Sequence, residues 1–287
     1  MLKTAVIGGS GYIGSHLLNK YRKEFPDCIG TTFSKKIPHL KSFDITKGCV
    51  EKLGLIESGH QSVVIASAKP NISFCENEPD TSYNINVDGT LELIKKLEEM
   101  SLKVIFLSSD YVFGGEKGNF IDEHLTKPST NYGKHKEIVE KRVSPSVTIV
   151  RLSKVYGLIR GDKTLLDEGA ELLSQNKQIM AAKDQFFCPT YVEDVVKGII
   201  SIQEKAITGK INLCGSEKWS RFEIFNLLAE RMGKDKGLIK AINLYDIPEM
   251  IGRPLDTSMV CNRFGLEIGE EFILLEDAIE KVANNYV

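Results

Sequence analysis

Hydrophobic positions along the 287 residues switch repeatedly between two patterns. Short continuous apolar, β-branched runs at 4–7, 62–67, 103–107 and 147–152 predict strands buried on both faces. Between them, apolar residues recur at helical spacing. Ile13, Leu17, Leu18 and Tyr21 lead to a stop at Phe25-Pro26-Asp27, and Leu91, Ile94 and Leu97 form the inner face of a long amphipathic segment over 78–100. Weaker patterns predict a strand at 28–33, a strand end at Phe43-Asp44-Ile45, and helices over 50–56 and 130–143. This alternation predicts an α/β fold, a Rossmann-like doubly wound parallel sheet whose ligands bind beyond the carboxyl ends of the strands.

Past Tyr156 the regularity weakens. Helices are expected over 165–173, 192–202 and 274–282, an irregular crossing over 181–190, and a short strand over 211–213. Ser220-Arg-Phe-Glu223 reads as a capping box, with Trp219 and Ile224 as a hydrophobic staple, so a helix runs from Arg221 towards Gly233. The expected division is a dinucleotide-binding domain over 1–152, to which 192–214 returns. A smaller mixed α/β substrate-binding lobe at the C-terminal side is formed by 153–191 and 215–287.

The first strand ends in Val6-Ile-Gly-Gly-Ser-Gly-Tyr-Ile-Gly14, a G-x-x-G-x-x-G turn at which a helix begins. Glycines there permit a tight turn and close approach of phosphates to a helix N-terminus, which makes Gly8, Ser10, Gly11, Tyr12, Ile13 and Gly14 candidate dinucleotide-binding residues. Alone, the triplet also fits an ordinary strand-to-helix turn. No Gly-Lys-Ser/Thr follows, which excludes a Walker loop. The second strand ends without the acid that pairs with adenosine-ribose hydroxyls; Ser34, Lys35 and Lys36 stand there instead and suit a 2′-phosphate. NADP(H) is therefore preferred and NAD(H) remains open, with solvated loop charges as the alternative reading of the lysines. Asp44 and Ile45 fall where adenine could be read, Ala66, Ser67 and Ala68 follow the next strand, and Asn86 is either a cofactor contact or a polar core residue.

Composition narrows the partners. A formal net charge of -2 and 26% charged residues argue for a small-molecule ligand and against nucleic-acid or anionic-membrane surfaces. Six cysteines (Cys28, Cys49, Cys75, Cys188, Cys214, Cys261) are scattered without a C-x-x-C pair, so they read as small core residues in a reducing, cytoplasmic protein with no metal site. No apolar run is long enough to span a bilayer, and no cleavable leader is read at the N-terminus.

The chemistry sits in Asn131-Tyr132-Gly-Lys-His-Lys136, where Tyr132 and Lys136 lie one helical turn apart. An ammonium beside a phenol is expected to lower the tyrosine pKa, and Ser109 at the preceding strand end could share a carbonyl oxygen with the phenol. By itself the pair is also compatible with an exposed helix face. In combination with the glycine turn the chain resembles the extended short-chain dehydrogenase/reductases, and within them the dTDP-4-dehydrorhamnose reductases. The resemblance rests on the glycine turn, Ser108-Ser-Asp-Tyr-Val-Phe113, Tyr132-Gly-Lys-His-Lys136, Arg151-Leu-Ser-Lys-Val-Tyr-Gly157, Asp184-Gln-Phe-Phe-Cys-Pro-Thr190 and Arg253-Pro254, in that order.

The resemblance implies a catalytic set of Ser109, Tyr132 and Lys136 and a nucleotide-sugar substrate near Ser109, Asp110, Tyr111, Val112, Lys154 and Arg253. It implies NADPH-dependent reduction of a 4-keto sugar and leaves a homodimer open. Lys154 departs from the family's usual tryptophan, and Phe187 from its usual glycine. Arg253 reads equally as an ion-pair partner. Dehydratases of this fold carry an Asp-Glu pair where Asp110 is followed here by Tyr111, so reduction is favoured over dehydration or epimerisation. A non-catalytic alternative is a regulatory subunit resembling that of methionine adenosyltransferase.

Overall fold

The computed structural model describes residues 1–34 and 36–286, and these form two compact units. The first comprises residues 1–112, 130–151 and 196–211; the second comprises 113–129, 152–195 and 212–287. Residues 113–129, which the sequence reading leaves with the first domain, thus cluster with the second.

A five-stranded sheet, whose first three strands lie wholly in the first unit, runs in the order Thr4–Ile7, Ser62–Ile65, Lys103–Ser109, Thr148–Leu152, Gly209–Leu213. The first three strands pair in parallel, Val6 opposite Val64 and Val64 opposite Ile105. On the other side of the first strand, a bridge from Val6 to Gly30 leads to Thr31–Thr32, which pairs in parallel with Lys41–Ser42. The chain therefore leaves the first strand in one direction and later continues in the other, the reversal that opens a crevice at the strand ends. Ala5, Ile7, Val63, Ile65, Val104 and Phe106 are all buried and pack with Leu93, Ile94 and Leu97, the inner face predicted for the long amphipathic segment.

That segment is less regular than its pattern. It consists of helices Pro79–Tyr83 and Gly89–Glu99 with a π-helical turn at Asn84–Asp88 between them, and a further short helix, Ile72–Asn77, precedes it. The predicted second strand is reduced to two residues, and 50–56 to a 3₁₀ turn at Val50–Leu53.

In the second unit, helices Leu165–Ser174, Arg221–Arg231 and Leu275–Asn284 supply Leu166, Ala170, Leu173, Ile224, Leu228, Ala278, Ile279 and Val282 to one core. The capping box forms as the sequence dictates, Ser220 Oγ accepting from the Glu223 N–H and the Glu223 carboxylate accepting from the Ser220 N–H. The stretch expected to be irregular makes three short pairings. Ile179–Ala182 runs parallel to Ile239–Ile242, Phe186–Phe187 antiparallel to Trp219–Ser220, and Thr190–Tyr191 parallel to Val155–Tyr156. Among the described residues no helix is long and apolar enough to cross a membrane.

Candidate active site

The glycine turn has the backbone its sequence requires. Gly8 adopts φ 90°, and a Cβ there would lie 2.7 Å from the Ser67 nitrogen; at Gly14 it would lie 2.1 Å from the Gly8 carbonyl oxygen. The turn closes through Gly11 N–H to Gly8 O (3.0 Å) and is tied to the next strand by Gly8 N–H to Thr31 Oγ1 (3.0 Å). Helix Tyr12–Glu24 starts after Gly11, which has no side chain to cap it, and no acid occupies its first turn. Its leading N–H groups and the positive end of its dipole are thus available to an anion. Ser10 and Gly11 are exposed, Tyr12 and Ile13 half-buried.

The other candidate nucleotide-binding residues also belong to the first unit. Ala66, Ser67 and Ala68 are half-buried directly after Ser62–Ile65, while Ser34 and Lys36 are exposed past Thr31–Thr32. Lys35 lies outside the described residues. Asp44 caps a local turn, its Oδ1 accepting from Thr46 N–H (2.9 Å) and Thr46 Oγ1 (2.7 Å), and these bonds hold its carboxyl below the usual range. Asn86, buried in the π-helical turn, grips the loop after the strand: its Oδ1 accepts from Lys69 N–H (2.7 Å) and its Nδ2 donates to Lys69 O (3.1 Å). Such turns re-aim a side chain that a regular helix would direct elsewhere.

Ser109 ends strand Lys103–Ser109. Its hydroxyl donates to Asp110 Oδ1 (3.0 Å) and accepts from Tyr111 N–H (3.2 Å). Helix Asn131–Arg142, capped by Thr130 Oγ1 accepting from Gly133 N–H (3.1 Å), brings Tyr132 to the neighbourhood of the Ser109 hydroxyl. The Tyr111 and Tyr132 rings meet edge to face at 6.2 Å. One turn along, Lys136 is 4% exposed; its Nζ donates to Leu107 O (2.8 Å), 4.5 Å from the centre of the Phe106 ring and 5.8 Å from that of Tyr132.

This geometry corrects the expected tyrosine pKa. Desolvation and then the Asp110 carboxylate push the Tyr132 phenol above its ordinary value, outweighing the opposite pull of the neighbouring Ser109 hydroxyl. It is Lys136 that moves towards neutrality, pushed down to about 8 by burial against the opposing pull of Glu140. The phenol is therefore a neutral proton donor beside an ammonium of weakened basicity.

Beneath this group lies a network that sequence reasoning missed. Arg151 is fully buried; its Nε and a terminal nitrogen engage both oxygens of Glu140 (3.0 and 2.7 Å), and Ser108 Oγ donates to Glu140 Oε1 (2.6 Å). Glu140 follows Lys136 by four residues on the same helix, so the only available signal was a second i, i+4 pair continuing the Tyr132 to Lys136 face. Val112 is buried and Tyr111 half-buried just past Ser109. Lys154 and Arg253 belong to the second unit. Lys154 is exposed, its carbonyl accepting from Thr190 N–H (2.9 Å), and the carbonyl of half-buried Arg253 accepts from Tyr245 Oη (2.8 Å).

The RmlD substrate binding domain family matches residues 2–287. The chain belongs to this family. It is a dTDP-4-dehydrorhamnose reductase-like extended short-chain dehydrogenase/reductase. Among relatives of the family, dTDP-4-dehydrorhamnose reductase of Sinorhizobium fredii is 25% identical over 283 residues, covering 93% of this chain and 92% of that one. Methionine adenosyltransferase 2 subunit beta of Bos taurus is 22% identical over 91% of this chain and 81% of its own length. The crystal structure of dTDP-4-dehydrorhamnose reductase from Bacillus anthracis, in complex with NADP, superimposes with a TM-score of 0.84 at 22% identity, over 98% of this chain and 99% of that one. The RmlD family fold thus extends over both units of the chain.

Proposed function

We propose that this family member reduces the 4-keto group of a nucleotide-linked deoxysugar with NADPH. The observation that carries the reading is the convergence of Ser109, Tyr132 and Lys136 at the end of one parallel strand. The first unit fits a dinucleotide: an uncapped helix N-terminus without a first-turn acid would hold the diphosphate, and Lys136 the nicotinamide ribose. Bound there, the reduced nicotinamide would supply hydride to the carbonyl carbon. Tyr132 donates its phenolic proton to the oxygen on which charge develops; a phenol with a raised pKa is fully protonated for this role at neutral pH. Ser109 turns its hydroxyl from Asp110 to the same oxygen and stabilises it by a second hydrogen bond. The Lys136 ammonium would hold the ribose hydroxyls of the bound cofactor, and its positive charge favours the phenolate that forms when Tyr132 gives up its proton.

Three features support the finer assignment. The acid-free second strand end and exposed Ser34 and Lys36 favour a 2′-phosphate, and NADP is bound in the Bacillus anthracis relative. The relatives named dTDP-4-dehydrorhamnose reductase support a nucleotide-linked keto sugar. The third is conditional: if Lys154 faces the sugar, a further hydroxyl or acidic group near C4 to C6 is preferred, whereas its exposure also fits a solvated surface charge, and by the family resemblance Arg253 would suit a substrate diphosphate.

NADPH oxidation measured against a panel of 4-keto nucleotide sugars tests the activity, and the panel repeated with Lys154→Trp tests the sugar preference. Tyr132→Phe should lower turnover about 100-fold or more while NADPH still binds; near wild-type turnover would remove Tyr132 from this role. NADPH should bind more tightly than NADH, and equal affinities would return Ser34 and Lys36 to ordinary surface. The similarity to methionine adenosyltransferase 2 subunit beta favours a second reading, a regulatory subunit. That reading is preferred if no panel member is reduced and the chain forms a stable complex with a methionine adenosyltransferase.

A further inference from the structure

The sequence scatters the cysteines, but the second unit gathers three of them. The Cys214 and Cys261 sulfurs lie 3.1 Å apart although the residues are 47 positions apart in sequence. Cys188 neighbours Cys214, and both send their S–H groups to the carbonyl of Met259, at 3.4 and 3.6 Å. Cys188 and Cys214 are each 2% exposed, whereas Cys261 is partly open. All three line a cavity of about 620 Å³ walled on its apolar side by Phe264, Phe272 and Leu274.

We propose that Cys214 and Cys261 are a peroxide-oxidisable dithiol that closes reversibly to a disulfide. The sulfur separation is about 1 Å beyond a disulfide bond of about 2.05 Å, so the two sulfurs already lie within reach of each other. The two sulfurs have different environments, as a stepwise oxidation requires. Cys261 Sγ accepts a hydrogen bond from the Cys214 N–H (3.1 Å), its S–H reaches the Cys214 carbonyl (3.3 Å), and it is the more accessible of the pair. Hydrogen bonding with Cys188 and Cys261, together with burial, keeps Cys214 a thiol well above the ordinary range.

Cys261 gives up its proton and its sulfur attacks one peroxide oxygen, breaking the O–O bond; it becomes a sulfenic acid, and the other oxygen takes up the released proton and leaves as water. Cys214 then gives up its proton and its sulfur displaces the hydroxyl as a second water, forming the S–S bond. The two sulfurs lose two electrons and the peroxide gains them. In a reducing compartment the pair rests as the dithiol. The site is independent of the reductase reading, since both residues and the cavity belong to the second unit.

The test is peptide mapping of the full-length reduced protein after graded hydrogen peroxide, alkylation of remaining thiols and digestion without reductant. The exposed Cys49 serves as an internal gauge of dose. At a dose that leaves Cys49 mostly unmodified, two thiols should be lost together and the peptides carrying Cys214 and Cys261 recovered as one linked species, released by dithiothreitol. The linked wild-type protein should unfold roughly 5 °C or more higher than the reduced one. Cys261→Ser should lose no thiol pair at that dose, whereas Cys188→Ser should retain the link; the wild-type map decides the matter even if either variant fails to fold. A link through Cys188, sulfinic acid on Cys261 without a link, or oxidation of Cys49 before this pair would overturn the proposal.

Discussion

Lys136 offers a quantitative test because its burial and its function oppose each other. Moving the ammonium from its ordinary 10.5 to about 8 corresponds to a charging cost of about 3 kcal/mol, the consequence of 4% exposure with one carbonyl acceptor and an aromatic face for company. At pH 7 about nine-tenths of the molecules carry the ammonium, and at pH 9 about one-tenth. If the charge holds the cofactor ribose and favours the phenolate, kcat/KM for keto-sugar reduction should fall about tenfold per pH unit above about 8. Steady-state rates from pH 6 to 10 measure this directly. Lys136→Arg fixes the cation, because a guanidinium stays protonated across that range, and its lower activity should lose the inflection. An unchanged inflection in Lys136→Arg, or a wild-type profile flat to pH 10, would refute the assignment. Stability must move in a linked way. The folded pKa lies below the unfolded one, so between about 8 and 10.5 the unfolded chain binds more protons. The Lys136 penalty is fully present below pH 8 and is relieved as pH rises through that window, so the stability difference between Lys136→Met and wild type should shrink there, as urea midpoints would show.

Two further outcomes test the frame around the site. Gly14→Ala should abolish or severely weaken dinucleotide binding and destabilise the first unit, because its Cβ would stand 2.1 Å from the Gly8 carbonyl; binding within about twofold of wild type, by fluorescence titration, would contradict that close packing. Arg151→Met leaves Glu140 buried and unpaired and should cost about 3–5 kcal/mol in denaturant unfolding, while adding Glu140→Leu should recover a large part, and a cost under about 1 kcal/mol for Arg151→Met would show the pair to be solvated.

What the sequence alone determined was what local chemistry dictates. Buried parallel strands must be continuous apolar runs, so those expected at 4–7, 62–67, 103–107 and 147–152 were legible, with ends within two residues of the observed Thr4–Ile7, Ser62–Ile65, Lys103–Ser109 and Thr148–Leu152. The glycine turn announced itself because only glycine fits its φ and its close approach, and Ser220 and Glu223 fixed a helix start by reciprocal bonds three residues apart. Tyr132 and Lys136 could be paired from spacing, and the matched order of motifs carried the family. The electrostatics could not be read in this way. Spacing suggested a depressed tyrosine, but the sign of the shift depends on how much water the phenol and ammonium lose and on Asp110 and Glu140 nearby, quantities set by packing. Propensity likewise gave one long helix over 78–100, where the structure inserts a π-helical turn so that Asn86 can satisfy the loop at Lys69. The pairing of Glu140 with Arg151 and the gathering of Cys188, Cys214 and Cys261 depend on contacts between residues distant in sequence. Only the tertiary structure decided them, because no short-range pattern encodes which separated chain segments share a buried space.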